Sequence, residues 1–182
     1  MLNSVLKGWA MPRLLVAPLS SLPDALSEHA PSHLISLLSP QHMIATPAGF
    51  PAERHLKIGI NDIAEPTAGS DPPGRAHVDQ LLAFSRDWDA RQPMVIHCWA
   101  GISRSMASAF TILCDRLGPD REIEIARAIR TRAPHAQPNR LLVQHADEAL
   151  NRGGRMIAAL NSMGPPLLVE EGVTTAFPLV GL

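Results

Sequence analysis

Residues 94–117 decide the fold, and they read MVIHCWAGISRSMASAFTILCDRL. The apolar run from Met94 to His97 predicts a short buried strand. Apolar residues then recur three and four positions apart, which predicts a helix over 104–117 with one buried face. A Gly-Pro pair directly after Leu117 ends this helix. Residues 98–103 therefore form a turn that leads from a strand straight into a helix.

The rest of the chain repeats this alternation of strand and helix. Short apolar or alternating runs bounded by proline, glycine or serine predict further strands over 13–17, 33–38 and 56–60. Apolar residues at helical spacing predict further helices over 21–30, 74–90, 120–132 and 138–152. We therefore expect an α/β fold with a central, mostly parallel sheet of four to five strands flanked by helices.

A length of 182 residues suits a single domain. We expect an N-terminal extension over 1–10, a folded domain over 11–155, and a C-terminal tail over 156–182. The tail is moderately apolar but interrupted by prolines, so we expect it to pack as an irregular segment, to contact a partner or to be flexible.

The composition limits the classes of partner. A net charge of −1 provides no overall field that would attract nucleic acid or an anionic membrane. No apolar stretch is long enough to span a bilayer, and the N-terminus does not read as a signal peptide. Two cysteines do not make a disulfide framework, so we expect a cytoplasmic protein. The eight histidines show no metal-ligand spacing, and we expect neither a metal nor another cofactor.

The turn itself contains the residues of an anion-binding site. Cys98 and Arg104 lie six positions apart, with Gly101 between them and Ser105 after them. A loop of small residues that enters a helix points its amide groups inward, and the helix dipole adds positive potential. Gly101 allows the curl, and the guanidinium of Arg104 matches two oxygens of a phosphate. The same positive environment stabilises a thiolate on Cys98, which predicts a nucleophile beside a bound phosphate.

The loop at 97–105 resembles the His-Cys-x5-Arg-Ser/Thr signature of the cysteine-dependent protein tyrosine phosphatase superfamily, above all its small dual-specificity-like branch. Two further features are similar to that branch. They are Asp62 just beyond a strand, and a Pro138-Asn139 step before a helix. The resemblance implies a phosphotyrosine protein phosphatase-like fold and a phosphatase domain over 11–155.

The resemblance also implies a role for each site residue. Cys98 would attack phosphorus and carry the phosphoryl group as phosphocysteine, while Asp62 would protonate the leaving oxygen and then activate water. Ser105 would donate a hydrogen bond to the sulfur, His97 would orient the loop, and Asn139 would brace it. The phosphate oxygens would be bound by the guanidinium and amide of Arg104 and by the backbone amides of Trp99, Ala100, Gly101, Ile102 and Ser103.

Some of these residues also have plain structural interpretations. Asp62 competes for the acid role with Asp71 in the same loop and with Asp79 and Asp87 on a helix face. Asn139 is also a natural cap for the helix that follows it. At the sequence level both interpretations stay open.

The expected function is a phosphomonoester hydrolase that acts on phosphotyrosine, with phosphoserine and phosphothreonine left open. Its substrate would be a phosphorylated protein or a small phosphomonoester, and the oligomeric state is left open. The alternatives are a non-catalytic module that reads phosphate and a sulfurtransferase with a rhodanese-like loop. Arsenate reduction would need a second reachable thiol, and we expect Cys114 to lie in the core.

Overall fold

The computed structural model describes residues 12–65 and 68–182. The predicted extension over 1–10 lies outside the described residues. The strands are β1 (Arg13–Pro18), β2 (His33–Leu38), β3 (His55–Gly59), β4 (Met94–Cys98) and β5 (Thr175–Pro178). They form one sheet in the order β3-β2-β4-β1-β5, in which every neighbouring pair is parallel except β1 and β5.

In residues 12–65 and 68–182, six α-helices flank the sheet. They are α1 (Leu22–His29), α2 (Arg75–Asp87), α3 (Arg104–Leu117), α4 (Glu122–Arg132), α5 (Arg140–Ala149) and α6 (Arg155–Ser162). The mixed, mostly parallel sheet flanked by helices confirms the predicted fold class. The four predicted strands and five predicted helices are present with small shifts at their ends.

The strand sequences place one apolar layer on each face of the sheet. Because side chains alternate along a strand, Leu14 and Val16 point to one face of β1 while Leu15 and Ala17 point to the other. The first face packs against α2 to α6 in the larger core. The second face packs against α1, which contributes Leu22 to the smaller core. Strands that are buried on both faces explain the nearly continuous apolar runs in the sequence.

The C-terminal tail has regular structure where the sequence analysis expected an irregular or flexible segment. It contains α6, and β5 pairs antiparallel with the free edge of β1 in a register that sets Phe177 opposite Leu14. Met156, Ala159 and Phe177 are completely buried in the larger core. The correction has a simple cause. The apolar positions of the tail are interrupted by prolines and show no period over its length, yet Met156, Ala159 and Phe177 fit into the larger core.

The parallel strands bring their carboxyl ends to one edge of the sheet. Pro18 at the end of β1 lies in register with Cys98 at the end of β4, and the segment after β3 leads to Asp62 at the same edge. Ligands of open α/β sheets bind at such an edge. Within the described ranges, no helix has the length and hydropathy required to cross a membrane.

Candidate active site

The loop between β4 and α3 is curled tightly against the end of β1. Cys98 is the last residue of β4, and Arg104 is the first residue of α3. Gly101 has φ = +70°, which favours glycine. A Cβ atom at this position would also lie 2.7 Å from the backbone nitrogen of Pro18 and 3.0 Å from the carbonyl carbon of Ala17. Both the backbone angle and the lack of space therefore require glycine here.

The candidate nucleophile lies at the bottom of this loop. Cys98 is 1% exposed, and its Sγ atom lies 3.1 Å from Oγ of the buried Ser105. The hydroxyl is therefore placed to donate a hydrogen bond to a thiolate. Cys98 and Cys114 are both free thiols. Burial, reinforced by the nearby Glu122 carboxylate, raises the pKa of Cys114, so this second thiol stays protonated in the core.

The guanidinium of Arg104 is buried and anchored on one side. Its Nη1 atom donates to the carbonyl oxygen of Ile60 at 2.9 Å, and its Nε atom lies 3.7 Å from Oδ2 of Asp62. The distance to Asp62 is that of an ion pair and is too long for a hydrogen bond. The buried Nε atom has no hydrogen-bond partner in the described part of the chain. A positively charged donor is thus held beside the candidate acid and the loop.

Two side chains hold Asp62 in position. Its Oδ1 atom accepts hydrogen bonds from Ser103 Oγ at 2.6 Å and from Asn139 Nδ2 at 2.9 Å. Asn139 Nδ2 also donates to the carbonyl oxygen of Ile63, while its Oδ1 atom accepts from the amide of Leu142. Asn139 is therefore both the cap of α5 and a brace for the segment that carries Asp62. The sequence resemblance implies only a backbone role for Ser103, and its side-chain contact with Asp62 was not predicted.

Cys98, Asp62, Ser103 and Asn139 line one cleft of about 430 Å³, and the buried guanidinium of Arg104 lies beside it, 3.7 Å from the carboxyl group of Asp62. The walls of the cleft are formed by Asp62, Ala64, Cys98, Ala100, Ile102, Ser103, Gln137, Pro138, Asn139 and Arg140. The nucleophile and acid candidates thus share a cavity that opens to solvent between the loop, the segment after β3 and the start of α5. Such an arrangement suits transfer of a group between a sulfur and an oxygen atom.

Two solved structures are similar to this chain. The human tyrosine phosphatase-like serine/threonine/tyrosine-interacting protein is 20% identical, with a TM-score of 0.55, over 73% of this chain and 84% of that one. DUSP15 is 19% identical, with a TM-score of 0.54, over 84% of this chain and 89% of that one. The chain has the fold of the dual-specificity-like protein tyrosine phosphatases. At this level of identity the likeness concerns the fold. No protein-family model and no curated protein matches the sequence.

In this phosphatase fold, Trp99 lies outside the cleft lining although it follows Cys98 directly. Its side chain is 57% exposed, and its ring meets that of His42 edge to face at a centroid distance of 5.7 Å. The amide of Trp99 belongs to the loop, while its side chain extends the surface next to the cleft.

A buried chain of hydrogen bonds behind the loop at 98–103 was not predicted from the sequence. His97 Nε2 lies 2.6 Å from Ser36 Oγ, which lies 2.8 Å from His55 Nε2, and His55 Nδ1 lies 3.0 Å from Thr46 Oγ1. Burial lowers the pKa of both His97 and His55 to about 4, so both rings are neutral at pH 7. His97 is thus tied by its side chain to the neighbouring strand. The one available signal was a serine within the apolar run of β2.

The rival acids lie elsewhere in the fold. The backbone of Asp71 pairs with Asn61, whose amide donates to the Asp71 carbonyl at 2.7 Å. Asp79 forms an ion pair with Arg75 on α2, and Asp87 is exposed at the end of that helix. In the described part of the chain, none of these three carboxylates lines the cleft.

No group of three or more His, Cys, Asp or Glu side chains in residues 12–65 and 68–182 is arranged to hold a metal ion.

Proposed function

We propose that this chain is a cysteine-dependent phosphatase that hydrolyses phosphotyrosine in phosphorylated proteins through a phosphocysteine intermediate. One observation carries the proposal. A buried sulfur and a carboxyl group share a single cleft, with a buried guanidinium 3.7 Å from that carboxyl and a hydroxyl 3.1 Å from the sulfur. Hydrolysis of a phosphate monoester requires such a set: a nucleophile, a cation and a proton donor.

In the first step, the Cys98 thiolate attacks phosphorus and the bond between phosphorus and the leaving oxygen breaks. Asp62 transfers its proton to that oxygen. Because Asp62 Oδ1 already accepts two hydrogen bonds, Oδ2 is the oxygen left to transfer this proton. Loop amides and Arg104 stabilise the charge on the equatorial phosphate oxygens.

In the second step, water attacks the phosphocysteine and gives its proton to the Asp62 carboxylate. The bond between sulfur and phosphorus breaks, and Cys98 leaves as a thiolate that accepts a hydrogen bond from Ser105. Inorganic phosphate is released, and the site returns to its starting protonation state. Each proton and each bond is accounted for by these three side chains and one water molecule.

The substrate class follows from the form of the site. The loop has no lysine, and Arg104 is its sole cationic side chain. One guanidinium matches a single phosphate group better than a polyphosphorylated headgroup. The proposal includes a cytoplasmic location, in keeping with the two free cysteines.

A non-catalytic phosphate-binding module is the second candidate. It is favoured by the similarity in fold to a protein described as phosphatase-like and interacting. The presence of Cys98, Arg104 and Asp62 together at the cleft favours the enzyme, because binding alone needs neither a nucleophile nor an acid.

The test is hydrolysis of p-nitrophenyl phosphate by the wild-type chain, Cys98→Ser and the matched variant Cys114→Ala. We expect turnover without added divalent metal and inhibition by vanadate. Activity should be lost in Cys98→Ser and retained in Cys114→Ala. Phosphotyrosine and phosphoserine peptides then define the specificity. Tight phosphopeptide binding without hydrolysis by the wild type would instead establish the binding module, and sulfur transfer from thiosulfate to cyanide would establish the sulfurtransferase.

A further inference from the structure

Four carbonyl groups of the phosphate-binding loop accept hydrogen bonds from backbone amides of other segments of the chain. The pairs are Leu19 to Trp99 at 3.0 Å, Gly172 to Ala100 at 2.8 Å, Gln137 to Ile102 at 3.0 Å and Asn139 to Ser103 at 3.3 Å. Three of these donors lie next to elements of the predicted phosphatase domain, while Gly172 belongs to the C-terminal tail.

The bond from Gly172 determines how the amide of Gly101, in the phosphate-binding loop, is oriented. A trans peptide bond is planar, and its carbonyl and amide groups point in opposite directions. Holding the carbonyl of Ala100 outward therefore directs the amide of Gly101 to the inner side of the loop. That amide is one of those proposed to bind the phosphate oxygens.

The tail is fixed on both sides of Gly172. Before it, the amide of Leu167 donates to the carbonyl of Pro134 at 2.9 Å. After it, Thr175 begins β5, which pairs with β1. Several apolar side chains on this part of the tail are exposed, whereas Gly172, where the tail crosses the loop, is buried.

There is no room for a side chain at position 172. A Cβ atom there would lie 2.6 Å from Nε2 and 2.8 Å from Cδ2 of His135, and 3.2 Å from the carbonyl oxygen of Gly101. His135 is only 6% exposed, so its ring has little freedom to move away. A substituted residue would therefore push the tail away from the loop or push the loop itself.

We propose that Gly172 is a positioning residue of the phosphate-binding loop, whose amide holds the Ala100–Gly101 peptide with its amide directed at the bound oxyanion. The role in turnover rests on the proposed function. The role in anion binding does not rest on it, because it requires only that the amides of the loop bind an anion.

The first experiment compares Gly172→Ala with Val173→Ala, a matched change at the exposed neighbour. Tungstate affinity is measured by calorimetry, and kcat and KM are measured with p-nitrophenyl phosphate, well below the thermal midpoint of each variant. We expect Gly172→Ala to weaken tungstate binding about tenfold and to lower kcat/KM about tenfold, because the amide of Gly101 no longer points at the oxyanion. Val173→Ala should change neither. Unchanged tungstate affinity in a folded Gly172→Ala variant would overturn the proposal.

The second experiment separates the hydrogen bond from the packing, and it also covers the case in which Gly172→Ala does not fold. A His135→Ala background removes the two closest contacts of a Cβ atom at position 172 and leaves the contact of 3.2 Å with the carbonyl oxygen of Gly101. There, Gly172→Ala keeps the amide donor and Gly172→Pro removes it. We expect the alanine variant to bind tungstate like the His135→Ala parent and the proline variant to bind about tenfold more weakly. Equal affinity of these two variants would refute the role of the amide.

The two proposals fail in different ways. A wild type that binds tungstate but hydrolyses no phosphate ester contradicts the proposed function alone, and the binding comparison still tests Gly172. If the wild type is fully active and neither Gly172→Ala nor Gly172→Pro changes the tungstate affinity, only the role of Gly172 is contradicted.

Discussion

Replacing Ser103 by alanine tests whether Asp62 acts as a general acid that the loop itself orients. Ser103 Oγ donates to Asp62 Oδ1 at 2.6 Å, and Asn139 Nδ2 donates to the same oxygen at 2.9 Å. The substitution removes the first donor and leaves the second. The backbone amide of residue 103, which belongs to the proposed phosphate-binding loop, is unchanged. The variant therefore perturbs the orientation of the carboxyl group and little else.

The size of the effect follows from the exposure of the pair. Asp62 is neutral when it acts as the acid, and a hydrogen bond between neutral groups contributes about 0.5–1.5 kcal/mol. The Asp62 side chain is 38% exposed, so water replaces part of the lost bond. With Asn139 still in place, we expect a loss of about 1 kcal/mol in stabilisation of the productive orientation, which corresponds to about a fivefold lower rate for a step that needs the proton.

The assay compares kcat/KM for phenyl phosphate and p-nitrophenyl phosphate, because this parameter reports the steps up to departure of the alcohol. Phenolate leaves poorly without a proton, whereas p-nitrophenolate leaves readily. Ser103→Ala should therefore lower kcat/KM about fivefold for phenyl phosphate and much less for p-nitrophenyl phosphate. Ser27→Ala, an exposed serine on α1, is the control. An equal loss for both substrates, or no loss for either, would refute the reasoning.

Two further predictions concern the acid and the buried histidines. Asp62→Asn should lower kcat/KM for phenyl phosphate by roughly 10²–10⁴-fold, as expected for loss of a general acid, while Asp71→Asn should leave it unchanged. The reverse result would reassign the acid. Burial lowers the pKa of His97 and His55 to about 4, below the ordinary histidine value of about 6.5. The unfolded chain therefore binds more protons between pH 6.5 and pH 4, and the free energy of unfolding should fall as the pH drops through this window, by up to about 3 kcal/mol for His97 alone. Urea unfolding at pH 7, 6 and 5 measures this change, and a flat profile would contradict it.

The features that the sequence predicts on its own are those set by neighbouring residues. The strand, turn and helix of residues 94–117 depend on apolar spacing, on a glycine at position 101 and on a Gly-Pro stop, all of which act over a few residues. The same holds for the other predicted helices and strands. The candidate site residues Cys98 and Arg104 belong to this local category because one short loop contains both.

The contacts that complete the site join residues far apart in the chain, and only the tertiary structure decides them. Ser103 reaches Asp62 across 41 positions, and Ser36 reaches His97 across 61. Gly172 and β5 come from a tail that shows no period in the sequence. A residue's own neighbours determine its backbone conformation and the face it presents. Which distant donor meets it depends on how the parallel strands align and on how each loop closes over their carboxyl ends.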